Sequence, residues 1–167
     1  MAASILSARQ ARAPRYPCCF HVSPYLDNDL ETLQNLDEIR ALEPVSILVV
    51  EDEESIREGL IQAFTGAGHN VLEASNGAEG LELFFNEENL DIVFTDLGMS
   101  QLSGWEMIEQ LHNHDSSIPI VILSGWGDDV NLEVMKKFGV VKVIPKPFSI
   151  IELHTALYEV ISLKKTA

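Results

Sequence analysis

Cysteine is nearly absent from this chain of 167 residues: the only two are the neighbours Cys18 and Cys19. Adjacent cysteines rarely bridge, and a disulfide framework needs more pairs, so a reducing, cytoplasmic setting is expected. Long apolar runs are also missing. No stretch reaches the roughly 18 residues of a membrane span, so no membrane partner is expected. Basic residues are scarce. Only 11 Lys and Arg stand against 26 Asp and Glu, for a net charge of −15. Phosphate contacts need clustered cations, so the balance argues against nucleic-acid binding by the chain as a whole. It suits a divalent cation or a basic partner surface. Hydrophobic residues at 46% and charged residues at 22% are ordinary for a globular domain with a real core.

The first 25 residues differ from the rest. They hold Arg9, Arg12 and Arg15, no acid, and Pro14, Pro17 and Pro24. They read as a disordered leader; the Arg- and Ser-containing start also fits a transit peptide, but it lacks the apolar core of a secretory signal. Residues 26–45 are expected to be an amphipathic helix and linker. Leu26, Leu30, Leu33, Leu36, Ile39 and Leu42 recur at helical spacing. Asp27 or Asn28 caps the start, and Glu43-Pro44 ends it. Three roles stay open for this helix: docking on the domain, dimerising, or joining an upstream domain.

From Ser46 to Lys164 the pattern becomes a regular alternation. Apolar strands are expected at 47–50, 71–74, 90–95, 118–123 and 140–144. Helices are expected at 53–67, 77–85, 104–112, 128–138 and 150–163. Their inward faces are Ile56, Leu60, Ile61 and Phe64; Ala78, Leu81, Leu83 and Phe84; Trp105, Ile108 and Leu111; Val130, Val134 and Phe138; and Leu153, Leu157, Val160 and Ile161. Asn76 and Ser149 serve as N-caps. Five apolar strands alternating with helices imply a doubly wound α/β fold: a five-stranded parallel sheet covered on both faces. In such a sheet, ligands bind beyond the carboxyl ends of the strands.

The strand ends carry the chemistry. The first ends in Glu51-Asp52, the third in Asp96, the fourth in Ser124 and the fifth in Lys146. Three carboxylates brought together repel, which raises their proton affinity. A hard divalent cation relieves this, and Mg²⁺ suits a few carboxylates plus phosphate oxygens. An Asp carboxylate can be a nucleophile and form an aspartyl phosphate. Mg²⁺, the Lys146 ammonium and the Ser124 hydroxyl would each take one oxygen of the transferring group. A lone strand-end carboxylate more often caps the following helix; Glu51, Asp52, Asp96, Ser124 and Lys146 together are not explained that way. Four of the five histidines, His69, His112, His114 and His154, read as surface or packing residues.

These motifs resemble the receiver domain of two-component response regulators. The matching pieces are Ile-Leu-Val-Val-Glu-Asp-Glu at 47–53, Thr-Asp-Leu-Gly-Met-Ser-x-x-Ser-Gly at 95–104, Ile-Leu-Ser-Gly at 122–125 and Pro-Lys-Pro-Phe at 145–148. The resemblance covers residues 46–164. It implies a flavodoxin-like receiver fold and phosphoryl transfer to Asp96 from a sensor histidine kinase or histidine phosphotransfer protein. It implies Mg²⁺ held by Asp52, Asp96, Glu51 and the Gly98 carbonyl, and a cis peptide between Lys146 and Pro147. Two positions depart from the usual pattern. Ser100 stands where many receivers have Pro, an expected effect on loop stiffness alone. Val143 stands where an aromatic switch residue is usual, so Trp126 is a candidate replacement, with a static anchor as its plainer role.

The resemblance implies a signalling protein without turnover, whose surface over residues 128–160 changes its affinity for an unknown downstream protein. With the chain ending at Ala167, no DNA-binding output domain is expected. Two alternatives remain: the detached C-terminal receiver of a hybrid kinase, and a receiver-like adaptor that is never phosphorylated. A haloacid-dehalogenase-type phosphatase would want its Asp-x-Asp pair after the first strand. A flavodoxin-like binder would want a Ser-, Thr- and Gly-rich phosphate loop there, where Glu51 to Glu54 stand instead.

Overall fold

The computed structural model describes residues 42–100, 102–125 and 136–166. The elements run β1 (Ser46–Val50), α1 (Glu54–Gly66), β2 (Asn70–Ala74), α2 (Gly77–Asn86), β3 (Ile92–Asp96), α3 (Gly104–His114), β4 (Ile120–Ser124), β5 (Val140–Pro145) and α4 (Ile150–Thr166). A 3-10 turn at Lys136–Phe138 precedes β5. All strands are parallel, in the order β2-β1-β3-β4-β5. The chain steps from β1 to β2 in one direction and then places β3 on the other side of β1. That reversal opens a crevice beyond the carboxyl ends of β1 and β3.

Successive side chains of a strand point to opposite faces, and here both faces are covered. Ile47, Val49, Ile92, Phe94, Val121 and Leu123 pack with Leu60 and Phe64 of α1 and with Leu153, Leu157 and Val160 of α4. Leu48, Val50, Val93, Ile120 and Ile122 pack on the other side with Leu81 and Phe84 of α2 and Met107, Ile108 and Leu111 of α3. Double coverage is why β1, β3 and β4 are unbroken apolar runs in the sequence.

The strand and helix pattern matches expectation to within a few residues, with three corrections. Leu90 is buried, but β3 begins only at Ile92. Ala78 is exposed, not inward. The buried small residues of α2 are Gly77 and Gly80, and a Cβ at Gly80 would come within 3.0 Å of both Met107 and Val50. Met107, fully buried, is the inward residue of α3 that spacing overlooked, while Trp105 is half-buried and meets Phe138 edge-on at 5.0 Å. Both expected N-caps are present: the Asn76 side chain accepts from the Glu79 N–H, and Ser149 Oγ accepts from the Glu152 N–H. Of the helix expected over 128–138, only the last three residues are described, and they form the 3-10 turn. The leader, the helix up to residue 41, Cys18, Cys19, Trp126, Val130 and Val134 lie outside the described residues.

Candidate functional site

β3 is buried along its whole length and delivers Asp96 to its C-terminal end. Asp96 Oδ1 accepts from the Gly98 N–H at 3.2 Å, and the Thr95 hydroxyl donates to the Asp96 carbonyl at 2.9 Å. The start of α3 then presses on the acceptor loop. A Cβ at Gly104 would lie 2.0 Å from the Asp96 carbonyl oxygen, so only glycine fits. A capping box between Ser103 and Glu106 fixes that helix end.

β1 ends beside it. Glu51 is 1% exposed, and its N–H donates to the Ala74 carbonyl at 3.1 Å. Asp52 is exposed, and its Oδ2 accepts from the Ser100 N–H at 3.2 Å. One carboxylate oxygen from each of Glu51, Asp52 and Asp96 lies within 4.8 Å of the others. β5 supplies the cation. Lys146 Nζ donates to Glu51 Oε2 at 2.8 Å and to Asp96 Oδ2 at 3.0 Å. The Lys146 N–H donates to the Ser124 carbonyl at 2.6 Å, joining the ends of β4 and β5, and the Lys146–Pro147 peptide is cis. Ser124 is buried, and its hydroxyl donates to the Gly125 carbonyl at 3.1 Å.

Burial pushes the Glu51 carboxyl up from its ordinary value, and Lys146 only partly offsets that. For Lys146, burial pulls the ammonium down, but its hydrogen bonds to Glu51 and Asp96 outweigh this and hold it above the ordinary lysine value. One ammonium among three carboxylates leaves an excess of negative charge. That donor set, hard oxygens only and partly open to water through Asp52, fits Mg²⁺.

Two contributors escaped the sequence reading. Arg57 on α1 donates to the Glu51 carbonyl at 2.9 Å and pairs with Glu73 at 3.6 Å, steadying the end of β1. Ser100 does more than alter loop stiffness: its N–H, which a proline would lack, is the donor to Asp52. Val143 is half-buried against the α2/α3 core, as a small apolar residue there should be.

The response regulator receiver domain family matches residues 47–158 of this chain. The chain belongs to that family, whose chemistry is phosphoryl transfer onto and off its own side chain without turnover of a free substrate. Among curated relatives, it is 34% identical over 122 residues to the sensor kinase CckA of Brucella abortus, covering 70% of this chain but 12% of that kinase. The chain spans about half the length of two other curated relatives, a probable transcriptional regulator of Guillardia theta and a response regulator of Streptococcus pneumoniae. It is 28% identical to sporulation initiation phosphotransferase F of Bacillus subtilis, covering 71% of this chain and 94% of that protein. A crystal structure of a response regulator receiver domain protein from Clostridium thermocellum superimposes with a TM-score of 0.69 at 31% identity. It covers 73% of this chain and 98% of the other. Among the described residues, no helix is long and apolar enough to cross a membrane.

Proposed function

We propose that Asp96 accepts a phosphoryl group from a phosphohistidine and that the chain is the phosphoacceptor of a two-component relay. The observation that carries this reading is the Lys146 ammonium, 3.0 Å from Asp96 Oδ2 and 2.8 Å from Glu51 Oε2. A strand-end carboxylate buried beside a cation and two further acids is a positioned nucleophile. The bond between phosphorus and the histidine nitrogen breaks as an Asp96 oxygen bonds to phosphorus. The imidazole leaves with the electron pair of the broken bond. Lys146 turns from Asp96 to an oxygen of the incoming group, and the Ser124 hydroxyl takes another. Glu51 keeps Lys146 in place through this exchange. Glu51, Asp52, Asp96 and the Gly98 carbonyl would hold a Mg²⁺, which would supply further neutralisation of the phosphoryl oxygens.

The donor is a sensor histidine kinase or a histidine phosphotransfer protein. The likeness to a phosphotransferase over 94% of that protein's length supports a relay role. The added charge, roughly −1.5 to −2, favours the arrangement in which Ser124 and Lys146 both meet the phosphoryl oxygens. That bias acts on the segment joining β4 to β5 and on α4, so the output surface lies within 128–160 and reads out through protein contacts. The likeness to a stretch of CckA supports a second placement of the same chemistry, as the receiver of a hybrid kinase.

The test is intact mass after exposure to acetyl phosphate, with and without Mg²⁺. One Mg²⁺-dependent phosphate is expected, absent in Asp96→Asn. A folded protein that takes up neither phosphate nor beryllofluoride is an adaptor instead.

A further inference from the structure

A groove opens at the end of the sheet opposite the acidic site, between the starts of β4 and β5 and the last turns of α4. It holds about 340 Å³ and is lined by Ser117, Pro119, Val141, Val160, Leu163 and Lys164. Val141 is 50% exposed and Leu163 70% exposed. Large apolar side chains gathered around one groove, uncovered among the described residues, mark a surface that takes a partner.

We propose that the groove is covered by residues 26–41 of this same chain. The apolar series Leu26, Leu30, Leu33, Leu36 and Ile39 runs on into Leu42 at helical spacing. Leu42, the first described residue, packs against the cluster that holds Val160 and Ile161 of α4. The chain therefore enters on the face of the sheet that α1 and α4 cover, the face to which the groove belongs. The entry point also adjoins the groove. The Ser46 N–H donates to Asp91 Oδ2 at 3.0 Å. Lys164, a wall of the groove, reaches the Asp91 carbonyl at 3.4 Å and Asp91 Oδ1 at 3.7 Å. As a helix, the segment is about 24 Å long, enough to lie along the groove from that point.

Charge agrees with this placement. The segment carries Asp27, Asp29, Glu31, Asp37 and Glu38 against Arg40 alone. With the leucines facing Val141 and Leu163, these acids flank a rim that bears Lys164. The basic leader before residue 26 has no such stripe and is not the occupant.

The test uses the full chain with Cys18→Ser and Cys19→Ser, so that Ser117→Cys is its single thiol. Ser117 lines the groove and is exposed, and changing it leaves the apolar walls intact. Maleimide labelling at this thiol is expected to be about tenfold slower than in the same chain carrying Leu33→Glu and Leu36→Glu, whether or not the protein is diluted. Equal rates in the two chains would overturn the proposal. Slowing that disappears on dilution would overturn it too, assigning the groove to a second copy.

Discussion

The two ends of the sheet are built to opposite rules. At the carboxyl end, three acids converge, two of them pair with one lysine, and two of the four charged groups are buried. Charge there is left in excess, ready for a cation and a phosphoryl group. At the amino end, the strand starts are tied to one another. The Asn70 N–H donates to the Val45 carbonyl, Asp91 and Ser46 exchange two hydrogen bonds, and the Val45 N–H donates to His69 Nδ1 at 3.5 Å. Like charges held close store repulsion, whereas matched donors and acceptors do not. One end is therefore arranged for chemistry and the other for anchorage, and substitutions should separate them.

The largest effect should come where the chemical end is also packed most tightly. Gly104→Ala forces a Cβ into the Asp96 carbonyl, with backbone on every near side. Neither the strand end nor the start of α3 can yield without moving the other. The expected loss is on the order of 4 kcal/mol. Thermal unfolding should fall by roughly 10 °C. The phosphate adduct should shrink as well, because Asp96 is displaced. An unchanged melting temperature would mean that the helix start slides freely.

The next prediction applies one substitution to both ends. Lys146→Met removes the cation between Glu51 and Asp96 and leaves a buried carboxylate uncompensated. Breaking a buried pair costs about 3–5 kcal/mol, and partial exposure of Lys146 brings this to about 2–3 kcal/mol. Added Mg²⁺ should restore part of the loss. Lys164→Met breaks the Lys164–Asp91 pair, whose partners are both 39% exposed. Exposed pairs contribute about 0–1 kcal/mol, so little should change, and Mg²⁺ should make no difference. Urea unfolding of both variants, with and without Mg²⁺, checks the contrast. Equal losses at the two lysines would erase it.

The chemical end was the legible one. A buried strand that stops at a charged residue announces itself, so Glu51, Asp52, Asp96, Ser124 and Lys146 were readable as strand-end residues, and the parallel order followed from double-sided apolar runs. Ser100 and Arg57 were not readable in the same way. Their contributions are a loop N–H to Asp52 and a helix guanidinium to a strand carbonyl, and neither leaves a trace in residue type or period. Helix faces were legible only where large residues carry the contact. In α2 the contact is made partly by the absence of a side chain at Gly77 and Gly80, and a period count that scores apolar bulk passes over it. His69 and His154 looked isolated because they are far apart in sequence, yet the fold draws His154 close enough to act on the charge of His69.

That histidine pair yields the smallest effect and the finest test of the anchoring end. His69 is 5% exposed, and His154 stands edge-on to Phe64 at 5.8 Å. His69 Nε2 and His154 Nδ1 are buried without a hydrogen-bond partner. Burial lowers both below the ordinary value of 6.5, and the nearness of His154 lowers His69 further. Well above pH 6.5 both rings are neutral in the folded and unfolded chain, so neither affects stability. As pH falls below that value the unfolded chain takes up protons first, and the folded state loses ground. The melting temperature should drop by a few degrees between about pH 7.5 and pH 5.5. His154→Phe keeps a ring against Phe64 while removing one proton site and one source of repulsion on His69. Its profile should be flatter over the same range. A parallel profile in the variant would move the pH dependence away from this pair.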